Sequence, residues 1–261
     1  MEELLSTATL FLLAAAFLGG FVDAIAGGGG LVTVPALMLA GLSPVESLAT
    51  NKLQALFGAT SSTLAYARKG HVDINSQLPA ALLAGLGGAL GAVLAAVVPG
   101  DFLAALLPVL LIAIAVYFAL KPNMDDIDRA RRMTPFVFGL TLVPLIGFYD
   151  GLFGPGTGSF FMIAFVALAG FGVLKATAHT KFLNLASNLG AFLVFAAVGV
   201  VYWKIGLAMG AAQIFGARLG AALAMRNGAR IIKPLLVIVC ILLAARLLLD
   251  PEHPIRIFFA A

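Results

Sequence analysis

GFVDAIAGGGG at residues 20–30 and GFYDGLFGPGTG at residues 147–158 are one pattern written twice. In each copy an aspartate, Asp23 or Asp150, precedes a glycine-rich break by about one helical turn. Ala49-Thr50-Asn51-Lys52 then follows the first copy, and Ala178-His179-Thr180-Lys181 the second. The aspartates are offset by about 127 positions and the lysines by about 129. Gly70, Gly87 and Gly91 recur as Gly199, Gly216 and Gly220 at the later offset. An insertion of two residues near the second break accounts for the change. Chance supplies one such match, whereas an ordered series at nearly constant offset implies internal duplication.

Composition sets the solvent. The chain of 261 residues is 62% hydrophobic and 11% charged. Soluble domains average about 25% charged residues, so this chain has too little polar surface to be covered in water. Apolar runs of about 20 residues recur, the mark of a polytopic helical membrane protein. The 29 glycines suit close helix crossings, as at Gly87-xxx-Gly91 and Gly216-xxx-Gly220. The net charge of +4 fits the positive bias of inner-membrane loops, and nucleic acid is not indicated. The single cysteine, Cys240, lies in an apolar run, cannot form an internal disulfide and reads as packing. Met1-Glu2-Glu3 lacks the positive start of a signal peptide, and the run after it is the counterpart of the segment before Asp150, so it belongs to the fold.

The expected fold is an all-α polytopic membrane protein of 8–10 helical segments, built from two inverted-topology repeats over residues 1–120 and 134–250. Each repeat is a Gly-broken helical hairpin followed by three transmembrane helices. Residues 121–133 read as a cytoplasmic linker and 251–261 as a short interfacial tail. Within the first half the segments are 4–26, the short 31–41, 45–67, 78–98 and 102–120. Ser43-Pro44 reads as a helix start. Charge orients them. If each broken pair returns to its own side, ten basic residues share one face: Arg68, Lys69, Lys121, Arg129, Arg131, Arg132, Lys175, Arg226, Arg230 and Lys233. Only Lys204, Arg246 and Arg256 fall on the other. That places the linker in the cytoplasm and both termini outside.

Broken helices at matching places are where inverted-repeat transporters bind solutes. A break frees backbone N–H groups and exposes a partially positive helix start, both suited to an anion. Gly29, Gly156 and Thr157 are therefore expected to line the site. Lys52 and Lys181 lie inside apolar helices, where a charge is costly and functional by default, although snorkelling from a helix end is the plainer alternative. Asn51 and Gln54 share a helix face, as do Lys181, Asn184 and Asn188. With Thr180 and His179 they form a polar set fit for a small oxyanion; inter-helix hydrogen bonding is the alternative for the asparagines. Asp23 and Asp150 are candidates for proton coupling, or for structural pairing with lysine. Arg218 either faces the cavity or snorkels, and Tyr202 with Trp203 suits an interfacial belt. No cysteine–histidine cluster, nucleophile elbow or phosphate-binding loop is present in the sequence, so no enzyme, cofactor or metal site is expected. A passive anion channel, a sensor or assembly subunit, and a cation carrier using Asp23 and Asp150 are the rival functions.

The same residues resemble a known family. Gly20 to Asp23, Gly27 to Gly30, Val34-Pro35-Ala36-Leu37 and Ala49 to Lys52 are similar to the first-repeat pattern of the sulfite exporter TauE/SafE family. Gly147 to Gly151, Gly154 to Gly158, Ala176 to Lys181, Asn184 and Asn188 resemble the second repeat of its YfcA-like branch. Gly30 stands where the other half has Thr157. The resemblance implies an inner-membrane permease for small sulfur-containing anions, such as sulfite or organosulfonates, coupled to the proton gradient. Its partners are then that solute and the lipid bilayer.

Overall fold

Ser43 shows how local chemistry starts a helix here. Its hydroxyl accepts from the Glu46 N–H, the Glu46 carboxylate accepts from the Ser43 N–H at 2.9 Å, and Pro44 supplies a preset φ. In the computed structural model, which describes residues 7–96, 112, 116, 119–120 and 125–249, nine helices follow one another. They are α1 (Thr7–Ala26), α2 (Gly29–Leu39), α3 (Pro44–Arg68), α4 (Ile74–Ala95), α5 (Pro135–Leu152), α6 (Thr157–Ala164, continued by a π turn to Ala169), α7 (Val173–Val198), α8 (Trp203–Asn227) and α9 (Ala229–Leu249). The described residues contain no strand. The expected segment 102–120 for the most part, the turn at 99–101, the tail 251–261 and the side chains of Cys240 and Arg246 lie outside the described residues.

The burial pattern is that of a protein dissolved in lipid. Leu82 and Leu86 are each 63% exposed, whereas Lys52, Gln54, Thr180 and Lys181 are fully buried. Large aliphatic side chains face outward and polar ones inward, the reverse of a water-soluble core. Five described helices (α1, α4, α5, α7 and α8) are long and apolar enough to span a bilayer. The 25-residue α3 is also long enough, but Asn51, Lys52, Gln54 and its serines dilute its apolar character. Arg218 is exposed on α8 and so faces outward, as do Tyr202 and Trp203 at the start of that helix.

Glycines set the closest crossings. Gly87 and Gly91 of α4 lie against the backbone of Pro144 and Phe148 on α5. Gly216 and Gly220 of α8 lie in the same way against Phe17 and Phe21 on α1. A Cβ at any of the four would strike a carbonyl, so these crossings need glycine. The contacting residues are themselves counterparts in the duplicated sequence. Each half thus offers its first helix to a late helix of the other half.

Contact order gives helix direction. Ascending residues of α4 meet ascending residues of α5, and the same holds for α8 with α1. Gly206, Gly210 and Gln213 on α8 meet Leu53, Phe57 and Gly58 on α3, so α3 shares that sense. Gln77 bonds the carbonyl of His179 and Gly88 meets Ser187, aligning α7 with α4. Two bundles result, α1–α3–α8 and α4–α5–α7. Leu48, Ala49 and Leu53 at the start of α3 cluster with Ala92 near the end of α4 and with Phe195 near the end of α7. The two bundles therefore run in opposite senses.

The polar stretch read as a linker is docked. Residues 125–133 lie across the starts of α7 and α9. The Asp126 carboxylate accepts from the N–H of Leu174 at 3.0 Å and of Ala229 at 3.1 Å. Asp128 accepts from the N–H of Gly172 at 2.9 Å and pairs with Lys175. Carboxylates placed at helix N-termini satisfy free N–H groups and the helix dipole. Burial pulls the Asp128 carboxyl upward, but the Gly172 N–H and the Lys175 ammonium together hold it below its ordinary value.

Candidate solute site

The helix breaks arise from glycine. Gly27, Gly154 and Gly156 hold φ of 77°, 81° and 83°, a left-handed conformation that costs other residues energy. The two breaks meet at the centre. Gly27 and Gly158 touch backbone to backbone, and the Ser159 hydroxyl donates to the Ala26 carbonyl at 3.1 Å. Gly30 faces both the Asn51 carboxamide and Pro155. The Thr157 hydroxyl turns back to the Gly154 carbonyl at 2.7 Å, and Tyr149 closes the same turn by donating to the Pro155 carbonyl at 2.7 Å.

Both lysines are ion-paired, and each partner comes from the other half. Lys52 on α3 lies 2.7 Å from Asp150 on α5, with side-chain exposures of 0% and 2%. The second Asp150 oxygen accepts from the Ser187 hydroxyl at 2.6 Å. Lys181 on α7 lies 3.0 Å from Asp23 on α1 and donates as well to the Asp23 carbonyl. The other Asp23 oxygen accepts from the Gly29 N–H, the first free amide of α2, at 3.3 Å. The lysines are therefore not bare positive charges beside the breaks. Unpaired, each would carry a desolvation cost of several kcal/mol, which the opposing carboxylate offsets.

The remaining expected residues divide into two groups. Asn51 accepts from Thr33 at 2.6 Å and from Gln54 at 2.9 Å, which places all three beside the first break. Asn188 donates to the Asn184 side chain at 2.8 Å on the α7 face that carries Lys181. Two buried oxygens near this centre, Gln54 Oε1 and Thr180 Oγ1, have no protein partner. Polar atoms left open in this way can meet a solute or water. His179 stands apart. Its ring packs against the stacked pair Phe165 and Phe171, with centroids 5.6 and 4.8 Å away, and lines a separate cavity of about 450 Å³ beside Gln77 and Arg131. Four polar residues of the centre were not singled out from the sequence: Thr33, Ser159, Ser187 and Gln213. Ser187 was detectable, because it lies between Asn184 and Asn188 on one polar helix face.

The profile described as sulfite exporter TauE/SafE matches residues 12–247. The chain belongs to the TauE/SafE family. It is 64% identical, over 99% of both chains, to a probable membrane transporter protein, ORF9, of Sinorhizobium sp. It is 46% identical to the probable membrane transporter protein YfcA of Escherichia coli, covering 90% of this chain and 87% of that one. A probable membrane transporter of Bacillus subtilis, YunE, is 27% identical over 92% of this chain and 97% of its own. No solved structure matches. As a TauE/SafE member with several spanning helices, the chain is a multi-pass membrane transporter.

Proposed function

We propose that this transporter is a proton-coupled exporter of small sulfur-containing anions, sulfite or organosulfonates, working by alternating access in the inner membrane. The observation that carries the reading is the exchange of ion pairs, Lys52 with Asp150 and Lys181 with Asp23, beside two helix breaks that touch. A paired lysine offers little to an anion. Protonating its carboxylate removes an attraction of about 4 kcal/mol at 4 Å in a medium of effective dielectric near 20. The ammonium is then free to take the solute, so proton and anion binding are linked through the same atoms. Asn51, Gln54, Thr180, Asn184 and Asn188 orient the anion, and Gly29, Gly156 and Thr157 present backbone at the breaks.

The opposite senses of the duplicated helices support two inverted repeats spanning 1–120 and 134–250. Because each ion pair bridges the halves, rocking one repeat against the other strains both pairs, which ties movement to solute occupancy. The basic residues at the end of α3 and in 125–133 support a cytoplasmic position for that end, with the termini outside.

Flux of labelled sulfite in proteoliposomes tests the reading. The expected result is sulfite counterflow in the wild type, driven by an imposed pH gradient and lost in the Lys52→Ala/Lys181→Ala double variant. Equal flux in the folded double variant would remove the lysines from the mechanism, and flux without counterflow would indicate a channel.

A further inference from the structure

Gln213 lies on α8, 2% exposed, and its Oε1 is buried with no partner. Two glycines make room for it. A Cβ on Gly20 of α1 would lie 2.6 Å from its Cγ, and a Cβ on Gly58 of α3 would lie 2.8 Å from the same atom. The duplication shows what is unusual about this place. At the later offset Gly58 corresponds to Ser187, and Gln213 corresponds to Ala84. Gly20 corresponds to Gly147, and Gly147 meets Ala84 just as Gly20 meets Gln213. The two half-sites therefore share one frame but exchange side chains. One has serine on the broken hairpin's following helix and alanine opposite. The other has glycine there and glutamine opposite.

The exchange matters for the carboxylates. Ser187 supplies Asp150 with a hydroxyl donor, but its counterpart Gly58 supplies Asp23 with nothing. The Gln213 Nε2 lies 2.9 Å from where a Gly58 Cβ would stand, the place from which Ser187 reaches Asp150 in the other half. The charged and titratable groups around Asp23 are Lys181 on α7 and Lys52 and Tyr66 on α3. α2 and α6 bring none, Arg218 of α8 and Arg230 of α9 are exposed, and α9, which packs on α1, also carries the half-buried Lys233. Among the described residues, the Asp23 carboxylate has only Lys181 and the Gly29 N–H as hydrogen-bond donors.

We propose that Gln213 is a positioning residue for Asp23, donating to its carboxylate when Lys181 turns to the solute, as Ser187 donates to Asp150. This rests on the reading above of a proton-coupled anion exporter. It gives that reading an alternating partner: in the resting state Lys181 holds Asp23, and in the loaded state the Gln213 carboxamide does. Glutamine suits the task because its long side chain swings without carrying charge.

The test transplants one half-site onto the other. Labelled sulfite uptake is measured across a pH series for wild type, Gln213→Ala and Gly58→Ser/Gln213→Ala. A hydrogen bond to a charged group is worth about tenfold or more, so Gln213→Ala is expected to lower uptake about tenfold and to shift the pH profile. Removing Gln213 also clears the space a serine needs, and the double variant is expected to recover most of the loss. Infrared titration of the carboxylates in detergent, assigned with Asp23→Asn, gives a second readout. The Asp23 band is expected to move in Gln213→Ala and to return in the double variant, while the Asp150 band stays in place. Wild-type uptake and an unmoved Asp23 band in folded Gln213→Ala would overturn the proposal, as would a double variant no better than the single. A wild type that carries no sulfite would refute the sulfite reading, and the infrared arm would still decide the role of Gln213.

Discussion

Lys52–Asp150 and Lys181–Asp23 occupy matching places in the duplicated sequence, yet the first is sealed and the second is not. Asp150 is 2% exposed and holds both an ammonium and a hydroxyl; Asp23 is 13% exposed and holds an ammonium and a backbone N–H. Identical charges in a shared frame thus differ in how tightly the protein grips them. The difference comes from neighbours, Ser187 in one half and Gly58 with Gln213 in the other. Lys52–Asp150 is thus the more closed of the two pairs and Lys181–Asp23 the more accessible.

The sharpest way to break this comparison is to leave each carboxylate alone. Lys52→Met strands a buried Asp150 and is expected to cost about 3–5 kcal/mol, the range for breaking a buried pair. Lys181→Met is expected to cost less, because water and the Gly29 N–H still serve Asp23. Thermal unfolding in detergent measures both, and equal losses would erase the distinction. Next in size, Ser187→Ala removes one hydrogen bond to a charged acceptor and is expected to cost about 1.5–3 kcal/mol by the same measurement. No loss there would mean that Lys52 alone secures Asp150.

The smallest effect lies away from both pairs. The Asp128 carboxyl is held below its ordinary value, so its contribution is present above the unfolded value of about 3.9 and is lost as pH falls through the folded one. Residues 125–133 should therefore stay docked from neutral pH down to about 4 and loosen below it. The pair is half exposed, and Asp128→Asn should cost no more than about 1 kcal/mol. Hydrogen exchange of the Gly172 amide across pH reads this directly, and exchange unchanged by the substitution would assign the docking to Asp126 instead.

Much of the centre was legible because it is written twice. Asp23, Lys52, Asp150 and Lys181 were identifiable by recurrence, and the glycine breaks by their effect on a helix. Pairing of aspartate with lysine was legible only as an alternative, because a repeat pattern does not say which half supplies a partner. Gln213 was hidden for a related reason. It stands alone in an apolar helix, and only the notch between Gly20 and Gly58 shows what it faces. His179 looked like part of the set through its place beside Thr180, but one helical step turns its ring toward Phe165 and Phe171.

The linear order of residues determined the solvent, the helices, the duplication and the identity of the buried charges, since each of these follows from composition, spacing and the cost of charge in lipid. Only the tertiary structure decided who pairs with whom. Helices of one half cross those of the other at glycine contacts, and that crossing carries Asp150 to Lys52 and Asp23 to Lys181 from about 98 and 158 positions away. Local propensity carries no information about separations of that size, and packing in three dimensions does.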